Sequence, residues 1–426
     1  MPAGEPHAAS YYRATCNDDA SYAPLAGNVD ADVCVIGGGF TGVSAALTLS
    51  ERGYRVVLLE QHRVGWGATG RNGGQLIGGM SGEKRLSRHW RGEREDFTFE
   101  LGYRGHDLIR ERVQRYGIEC DLKSGYLDVA VRPSHLSDLA AHHELLCRRG
   151  MAAQVRLVDA QELPALLGTD RYLGGLINNR NGHLHPLNLC LGEARAAVQQ
   201  GAVIHEGSPV LDIQPGPRAR VACEAGSVSA DFVVLAGNAY SRLERRRFSG
   251  VLFPAGSYII ATEPLDAGEA AAINPLDLAV CDLNTVLDYF RLSADRRLLF
   301  GGRCNYSGRE PRDIAANLLP RLHRIYPQLR GRRIDFAWGG MMGIVVNRVP
   351  LLGRIAPNVL YAMGYSGHGV NMSHACGEIL ADAIAGTLES FDFFASVPHR
   401  PIPLGRWLGG QAVAAGMLYY RLRDVL

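Results

Sequence analysis

Residues 31–43 read Ala-Asp-Val-Cys-Val-Ile-Gly-Gly-Gly-Phe-Thr-Gly-Val, an apolar, β-branched run that leads directly into a glycine-rich turn. Such a run is typical of a parallel strand that is buried on both faces. The glycines follow the spacing G-x-G-x-x-G: Gly37 permits a tight turn, Gly39 lets the backbone approach a pyrophosphate, and Gly42 lets the next helix pack closely on the strand. The stretch therefore predicts the phosphate-binding turn of a dinucleotide site.

The following segment completes the same unit. Residues 41–52 have helical spacing and are followed by Gly53, a residue suited to end a helix. The amides at the start of this helix are predicted to face the phosphates. A second β-branched run, 55–59, ends in Glu60, the acidic residue about twenty positions on that can hydrogen-bond the adenosine ribose. This order of elements predicts a Rossmann-like unit; the alternative is a glycine-rich turn in another α/β protein.

Length and composition limit the possibilities further. With 426 residues the chain is too long for one compact core, so we expect two domains, or one domain with another inserted. A net charge of +2 indicates neither a nucleic-acid nor a membrane partner, and the lack of basic runs with interleaved aromatic residues argues against nucleic acid. Residues 1–30 lack the pattern of a secretory signal, so a cytoplasmic location is expected. They contain Tyr11, Tyr12 and Tyr22 and are expected to form an arm on the surface.

Cysteine and histidine patterns do not predict a metal site. The nine cysteines are scattered without a C-x-x-C pair, and we interpret them as buried thiols. His183 and His185 lie two residues apart in Gly-His-Leu-His-Pro, with no nearby carboxylate or thiolate. This pattern favours packing or hydrogen bonding over metal ligation.

A second glycine-rich segment changes the expected cofactor. Residues 64–76 read Val-Gly-Trp-Gly-Ala-Thr-Gly-Arg-Asn-Gly-Gly-Gln-Leu, with few long side chains and with donors at Arg71, Asn72 and Gln75. Such a loop lets the main chain pass against a flat ligand. A nicotinamide-binding domain does not need it, whereas the ring of FAD must be held along a longer path. The alternatives are a flexible linker here and a nicotinamide dehydrogenase overall.

The chain returns to the predicted dinucleotide domain near its end. A strand at 359–363 runs into Gly364-Tyr-Ser-Gly-His-Gly-Val370, and a helix is predicted over 373–384. The start of this helix would place amide donors at the flavin pyrimidine, where reduction builds negative charge. A plain helix-entry loop is the alternative. The earlier strand 231–235 ends in Ala236-Gly237, which leaves room for a cofactor at its carboxyl end.

These elements predict an α/β fold with a discontinuous, Rossmann-like FAD-binding domain and an inserted substrate domain of mainly antiparallel β-sheet plus helices. We assign 31–80, 150–245 and 340–398 to the FAD-binding domain and 81–149 and 246–339 to the substrate domain. Residues 1–30 form the arm. Residues 399–426 form a helical tail that is too broken and glycine-rich to span a bilayer. It is expected to dock on the body or on another subunit, and attachment to a membrane surface is the alternative.

With these segments in place, the sequence resembles the FAD-dependent glycine/D-amino-acid oxidase superfamily. Within it, the chain looks most like the γ-glutamylputrescine oxidoreductases of bacterial polyamine catabolism. The segments Arg71-Asn-Gly-Gly-Gln75 and Tyr365-Ser-Gly-His-Gly369 are the most selective. The other matching segments are 32–35, 37–42, 67–70, 182–189, 236–240 and 288–292.

The resemblance implies an FAD-dependent amine oxidoreductase that acts on the amine carbon of a γ-glutamylated polyamine and gives an imine, which hydrolyses to an aldehyde and ammonia. Oxygen or a quinone would take the electrons, and the oligomeric state stays open. Substrate-side candidates are Gln75, Tyr289, Trp338 and His368. The expected cofactor-binding residues are Gly37, Gly39, Phe40, Thr41, Gly42, Glu60, Gln61, Gly67, Ala68, Thr69, Arg71, Asn72, Gly73, Gly74, Gln75, Val210, Ala236, Gly237, Gly367, His368, Gly369 and Val370.

One departure from the superfamily pattern bears on the substrate. Some members place a cation that binds the substrate carboxylate, or a cysteine bonded to the flavin, in the strand before a proline-containing turn. Residues 335–347 contain no Arg, Lys or Cys, which predicts non-covalent FAD and argues against an α-amino acid held at this strand. A γ-glutamyl carboxylate would need another partner, such as Arg348 or Arg291. The alternatives are a D-amino-acid or N-methyl-amino-acid oxidase or dehydrogenase and a non-catalytic flavin-binding protein.

Overall fold

The computed structural model describes residues 4–83, 86, 93–305 and 310–402. The glycine-rich stretch opens the first of two β-sheets. Neighbouring strands run parallel from Gly226–Leu235 through Gly27–Ile36 and Val56–Leu59 to Val203–His205. In spatial order the first sheet contains Leu351–Ala356, Val359–Met363, Gly226–Leu235, Gly27–Ile36, Val56–Leu59 and Val203–His205, with Val210–Gln214 and Ala219–Cys223 attached as a hairpin.

Helices cover the first sheet. Phe40–Glu51 follows the glycine turn and is buried along almost its whole length. It packs against Gly369–Ile384 and Pro186–Gln199. The predicted Rossmann-like domain is therefore confirmed, with the strand of 359–363 inserted beside Gly226–Leu235 as a further parallel strand.

The second sheet is mainly antiparallel, as predicted. In spatial order it contains Ile334–Val345, Leu252–Thr262, Leu298–Asn305, Asp288–Leu292, Ala279–Asp282, Lys123–Ala130, Gly174–His183 and Gln75–Leu76, with Val155–Asp159 paired to Gly174–His183. Its one parallel pairing among the described strands joins Ala279–Asp282 to Lys123–Ala130. Ile314–Ile325 packs against it through Leu318, Leu322 and Ile325.

The expected boundary at residue 150 differs from the strand pairing. We assigned 150–245 to the first domain, but Val155–Asp159 and Gly174–His183 hydrogen-bond within the second sheet. Gly174–His183 contains Asn-Asn-Arg-Asn in its second half and shows no clear alternation, so the sequence did not predict it as a strand. The chain enters the first sheet again only after the helix Pro186–Gln199.

Most of the amino-terminal segment 4–30 is exposed or partly exposed, but one short helix in it buries two side chains. Tyr11 and Tyr12, in the short helix Tyr11–Ala14, are 3% and 0% exposed. The ring of Tyr12 lies edge-on to Trp338 with centroids 5.4 Å apart, and Tyr11 contacts Phe336 in the same way. The segment is therefore anchored on the body through Tyr11 and Tyr12, whose burial the polar sequence around them did not reveal.

His183 and His185 support the fold through hydrogen bonds. His183 Nε2 lies 2.7 Å from the Asp277 carbonyl oxygen, and His185 Nδ1 accepts from the amide of Asn188 at the start of Pro186–Gln199. Burial lowers the pKa of His183 to about 4 and that of His185 to about 3. Both imidazoles are therefore neutral at pH 7.

The described cysteine side chains are free thiols, of which Cys34, Cys120, Cys190, Cys281 and Cys376 are buried. Cys16, Cys147 and Cys223 are partly exposed, contrary to the expectation that all would be buried. No described helix is both long and apolar enough to cross a membrane. Of the predicted tail, residues 403–426 lie outside the described part of the chain.

The remaining described helices are Glu93–Tyr116, Pro133–Leu146, Leu163–Leu167, Arg245–Phe248, Ala267–Ile273 and Glu389–Ala395.

Candidate active site

A cavity of about 780 Å³ runs between the two sheets. Its walls come from the glycine turn, the second glycine-rich loop, the start of Gly369–Ile384 and the facing strands of the second sheet. One end reaches Val210 and Glu224 of the first sheet, and the other reaches Cys281 and Leu287 of the second. The walls of the cavity therefore come from both sheets.

The glycine turn has the geometry that its sequence predicts. Gly37 has a φ of +110°, and a Cβ there would lie 3.0 Å from the carbonyl of Ala236. A Cβ on Gly42 would lie 1.9 Å from the carbonyl oxygen of Gly37, so the helix can approach the strand only if this residue is glycine. Gly39 is open on the cavity side except for Thr69 Oγ1, which accepts the amide of Phe40 at 3.0 Å. Thr69 thus holds the start of the helix, while Gly39 places no side chain in the cavity.

Glu60 lies at the end of Val56–Leu59 and lines the cavity. Its carboxylate accepts from the amide of Gly38 at 2.6 Å and from that of His62 at 2.8 Å. Burial raises the pKa of the Glu60 carboxyl, and these amides act against that rise. The carboxylate is thus fixed beside the turn, where a ribose would meet it.

The second glycine-rich loop is held by its own side chains. Asn72 Nδ2 donates to the Thr69 carbonyl at 2.7 Å, and its Oδ1 accepts from the Gly74 amide at 2.8 Å. Arg71 Nε donates to the carbonyl of Trp66, and its guanidinium lies 4.3 Å from the centre of the Trp66 ring. Gln75 Nε2 donates to the Val280 carbonyl at 3.0 Å. Arg71 and Asn72 therefore hold the loop internally, and Gln75 fastens it to the second sheet.

Arg291 supports the same loop from behind. It is 2% exposed, and its guanidinium donates to the carbonyls of Gly73, Leu184 and Leu292 and to the Tyr12 hydroxyl. The donors of this arginine are thus directed at protein acceptors. As one of the two proposed partners of a γ-glutamyl carboxylate, it is occupied by structural contacts.

His368 is the N-cap residue of the helix Gly369–Ile384. The chain before it turns at Ser366 and Gly367, whose φ values are 52° and 109°. The Tyr365 hydroxyl lies 2.6 Å from Thr41 Oγ1. Burial lowers the pKa of His368 to about 4. Its Nδ1 atom is buried and has no hydrogen-bond partner in the described part of the protein. This nitrogen is therefore closed off from the open cavity, which His368 lines with other atoms.

Tyr289 lies on the wall formed by the second sheet. Its hydroxyl is 3.2 Å from Ser257 Oγ. The ring covers Gly301 and Gly73, where added Cβ atoms would lie 2.1 Å and 2.6 Å from ring carbons. Because two glycines flank the ring, its plane is fixed at the cavity surface.

Most residues named from the sequence line this one cavity. Four do not: Gly42 and Gly74 lie behind it as close-approach positions, and Trp338 and Arg291 are buried. Trp338 Nε1 donates to the Arg71 carbonyl at 3.1 Å, so it braces the loop and its candidacy as a substrate-side residue is not supported. The sequence could not separate the two roles, because an aromatic residue in a strand can face either a core or a ligand.

The sequence did not single out several other lining residues. They lie in loops or on strands whose facing side becomes evident only from pairing. They include Trp66, Ile77, Ser81, Tyr240, Ser257, Cys281, Thr285, Leu287, Met341 and Met342. Within the described residues no cluster of His, Cys, Asp or Glu could hold a metal ion.

This fold and site define an FAD-dependent oxidoreductase. Residues 32–383 match the model of the DAO family, described as FAD dependent oxidoreductase, and the chain belongs to that family. It is 40% identical over 423 residues to γ-glutamylputrescine oxidoreductase of Escherichia coli strain K12, with 99% of each chain covered. It is 38% identical to a probable oxidoreductase, OrdL, of Haemophilus influenzae, covering 98% of this chain and 97% of that one.

Solved structures share the fold at lower identity. Glycine oxidase from Geobacillus kaustophilus superposes with a TM-score of 0.73 at 22% identity, over 87% of this chain and 100% of that one. L-Proline dehydrogenase from P. horikoshii superposes with a TM-score of 0.70 at 20% identity, over 92% and 99% of the two chains. These likenesses confirm the expected fold class, and the family match confirms the expected cofactor, FAD.

The residues present fit FAD. The turn leaves Gly39 open for a pyrophosphate, Glu60 is fixed at the ribose position, and Gly367 to Val370 line the far part of the same cavity. We expect Gly37 to Thr41 to hold the phosphates, Glu60 the ribose and Gly367 to Val370 the flavin pyrimidine.

Proposed function

We propose that this enzyme oxidises the primary amine carbon of a γ-glutamylated polyamine such as γ-glutamylputrescine. The observation that carries the proposal is 40% identity to the E. coli γ-glutamylputrescine oxidoreductase across 99% of both chains. Identity of this extent includes both sheets and therefore both walls of the cavity. The coarser activity, FAD-dependent oxidation, rests on the family itself.

The chemistry requires a neutral amine held against the cofactor. FAD, when bound, accepts a hydride from the carbon that carries the amine. The substrate ammonium first loses a proton; loss of the hydride then leaves an iminium, and water releases the aldehyde and ammonia. No acyl-transfer triad is needed, so the protein has to position the carbon at about 3–3.5 Å and limit the access of water.

The polar residues around the cavity suit this task. His368 is neutral because of its lowered pKa, so it does not repel a cationic amine as the substrate enters. The Tyr289 and Ser257 hydroxyls form a fixed polar pair on the second sheet. Gln75 lines the cavity while its amide is held by the Val280 carbonyl. We assign positioning roles to Gln75 and Tyr289 and a cofactor-contacting role to His368.

The lack of a cation in residues 335–347 supports an amine substrate over an α-amino acid. Residues of the strand Ile334–Val345 that line the cavity are Gly340, Met341, Met342, Gly343 and Ile344. Apolar atoms on this strand offer nothing to a carboxylate held next to the reacting carbon. They suit the methylene chain of a diamine. The same segment contains no cysteine, which supports non-covalent FAD.

The test is an anaerobic titration of the purified protein, followed by its visible flavin absorbance. We expect γ-glutamylputrescine to bleach the flavin at low concentration, with free putrescine far less effective and D-alanine without effect. Bleaching by D-alanine alone would assign the enzyme to the amino-acid oxidases. A protein that binds FAD but is bleached by none of them would contradict the proposal.

A further inference from the structure

A γ-glutamyl group adds an α-carboxylate several bonds away from the reacting amine, and free putrescine has no such charge. An enzyme that prefers the glutamylated amine therefore needs a cation at a distance from the flavin. Three arginines line the cavity among the described residues: Arg71, Arg242 and Arg348. Their surroundings differ enough to separate their roles.

Two of these arginines are accounted for elsewhere. Arg71 belongs to the second glycine-rich loop, where its guanidinium is held by Trp66. Arg242 is exposed and follows Ser241 near the end of the cavity that Gly237 lines in the first sheet, which is the predicted nucleotide side. Arg291, the other candidate from the sequence, is buried behind the loop with its guanidinium donating to four oxygen acceptors.

Arg348 has no comparable commitment. It is partly buried and lines the cavity, yet among the described residues its guanidinium forms neither an ion pair nor a hydrogen bond. Its backbone adopts a φ of +69°, a left-handed conformation that residues with a Cβ rarely adopt. Such conformations persist where the surroundings impose them, and they concentrate at ligand-binding sites.

The surroundings do impose this turn. The Arg348 amide donates to the Val345 carbonyl at 2.9 Å, and Asn347 Oδ1 accepts from the Val349 amide at 3.2 Å. Gly82 packs on the turn so closely that a Cβ there would lie 2.7 Å from the Asn347 carbonyl oxygen. The neighbouring Ser81 lines the cavity, so the turn is fixed at the cavity wall.

We propose that Arg348 binds the α-carboxylate of the γ-glutamyl group and thereby determines the preference for glutamylated amines. The inference rests on the proposed function. A guanidinium can donate two parallel hydrogen bonds to a carboxylate, and its charge is independent of pH in the working range. The turn holds the arginine before the substrate arrives, so little conformational freedom is lost on binding.

Arg348→Gly is the informative variant, because glycine accepts the left-handed backbone and the fold should be retained. Arg296→Gly is the matched control: Arg296 also has a positive φ, of 60°, but it is not among the cavity-lining residues. The probes are γ-glutamyl-n-butylamine, which lacks the oxidisable amine, and its α-carboxamide analogue. Binding to the FAD-loaded enzyme is measured by calorimetry, and kcat/KM is measured with γ-glutamylputrescine and its α-carboxamide.

We expect Arg348→Gly to weaken binding of γ-glutamyl-n-butylamine about 10–100-fold. Binding of the carboxamide should change by less than about twofold. The carboxylate-to-carboxamide ratio of kcat/KM should fall by the same factor, mainly through KM, while Arg296→Gly keeps the wild-type ratio.

Two results would overturn the assignment of Arg348 alone: a ratio that survives in Arg348→Gly, or a wild-type enzyme that oxidises γ-glutamylputrescine without preferring the carboxylate. A wild-type flavin that γ-glutamylputrescine does not bleach would overturn the proposed function as well, so the two failures are distinguishable.

Discussion

The glycine turn allows cofactor binding to be separated from folding by two single substitutions. A Cβ at Gly39 would meet only Thr69 Oγ1, at 3.1 Å, so Gly39→Ala needs a shift of a few tenths of an ångström in one hydroxyl. The methyl group would instead occupy the side from which a pyrophosphate approaches. Loss of one amide–phosphate hydrogen bond costs about 1.5–3 kcal/mol, so we expect FAD affinity to fall at least about tenfold.

Gly42→Ala should have the opposite profile. Its Cβ would lie 1.9 Å from the Gly37 carbonyl oxygen, which is a backbone atom and cannot rotate away. Overpacking of this kind costs about 1–3 kcal/mol or more, beyond the gain of about 1 kcal/mol in helix propensity from glycine to alanine. The apoprotein itself should therefore lose stability.

The assay is thermal and urea denaturation of both apoproteins, followed by titration with FAD monitored through flavin fluorescence. We expect Gly39→Ala to unfold like the wild type but to bind FAD weakly, and Gly42→Ala to unfold earlier without FAD. Wild-type FAD affinity in Gly39→Ala would refute the argument that the pyrophosphate lies against this residue.

Three further predictions concern the buried network and the cavity walls. Glu193, fully buried, binds His374 at 3.0 Å and Arg112 at 3.1 Å, so Glu193→Ala should lower the free energy of unfolding by about 3–5 kcal/mol in urea titrations; a loss below 1 kcal/mol would contradict it. Burial raises the pKa of Glu193, but His374 and Arg112 together lower it more, so the folded pKa lies below the unfolded value of about 4.5. The stabilisation by ionised Glu193 should therefore be fully present above pH 4.5 and be lost as the pH falls through the folded pKa. Unfolding at a series of pH values, with Glu193→Gln as control, checks this. Gly301→Ala would place a Cβ 2.1 Å from Tyr289 Cζ and push that ring into the cavity. We expect kcat/KM to fall at least about tenfold while FAD affinity is unchanged. Unchanged turnover would show that the Tyr289 ring does not shape the substrate site.

Local sequence patterns predicted the first domain well because its constraints are local. The turn at Gly37 to Gly42, the carboxylate of Glu60 and the second glycine-rich loop each follow from a few adjacent residues, and the structure brings them to one cavity. The helix after Gly367 begins at Gly369, four residues earlier than predicted, because Gly369 to Met372 pack into the core without a helix-start signal in the sequence.

The remaining features depend on contacts between distant residues. The pairing of Gly174–His183 with Lys123–Ala130, which joins both strands in the second sheet, cannot be predicted from either strand alone. Tyr12 is buried only because Trp338 and Arg291, more than 250 residues away, meet it. Trp338 and Tyr289 looked equivalent in the sequence, but the first braces a loop and the second lines the cavity. Arg291 and Arg348 were separated in the same way, by their partners.

Product analysis of a single turnover tests the proposed oxidation of the γ-glutamylputrescine amine carbon most directly. The FAD-loaded enzyme is mixed without oxygen with one equivalent of γ-glutamylputrescine, and the ammonia, the aldehyde and the loss of flavin absorbance are quantified together. We expect one ammonia and one γ-glutamyl-linked aldehyde for each flavin bleached, with free putrescine giving little of either. Bleaching without ammonia, or release of a 2-oxo acid instead of an aldehyde, would contradict it.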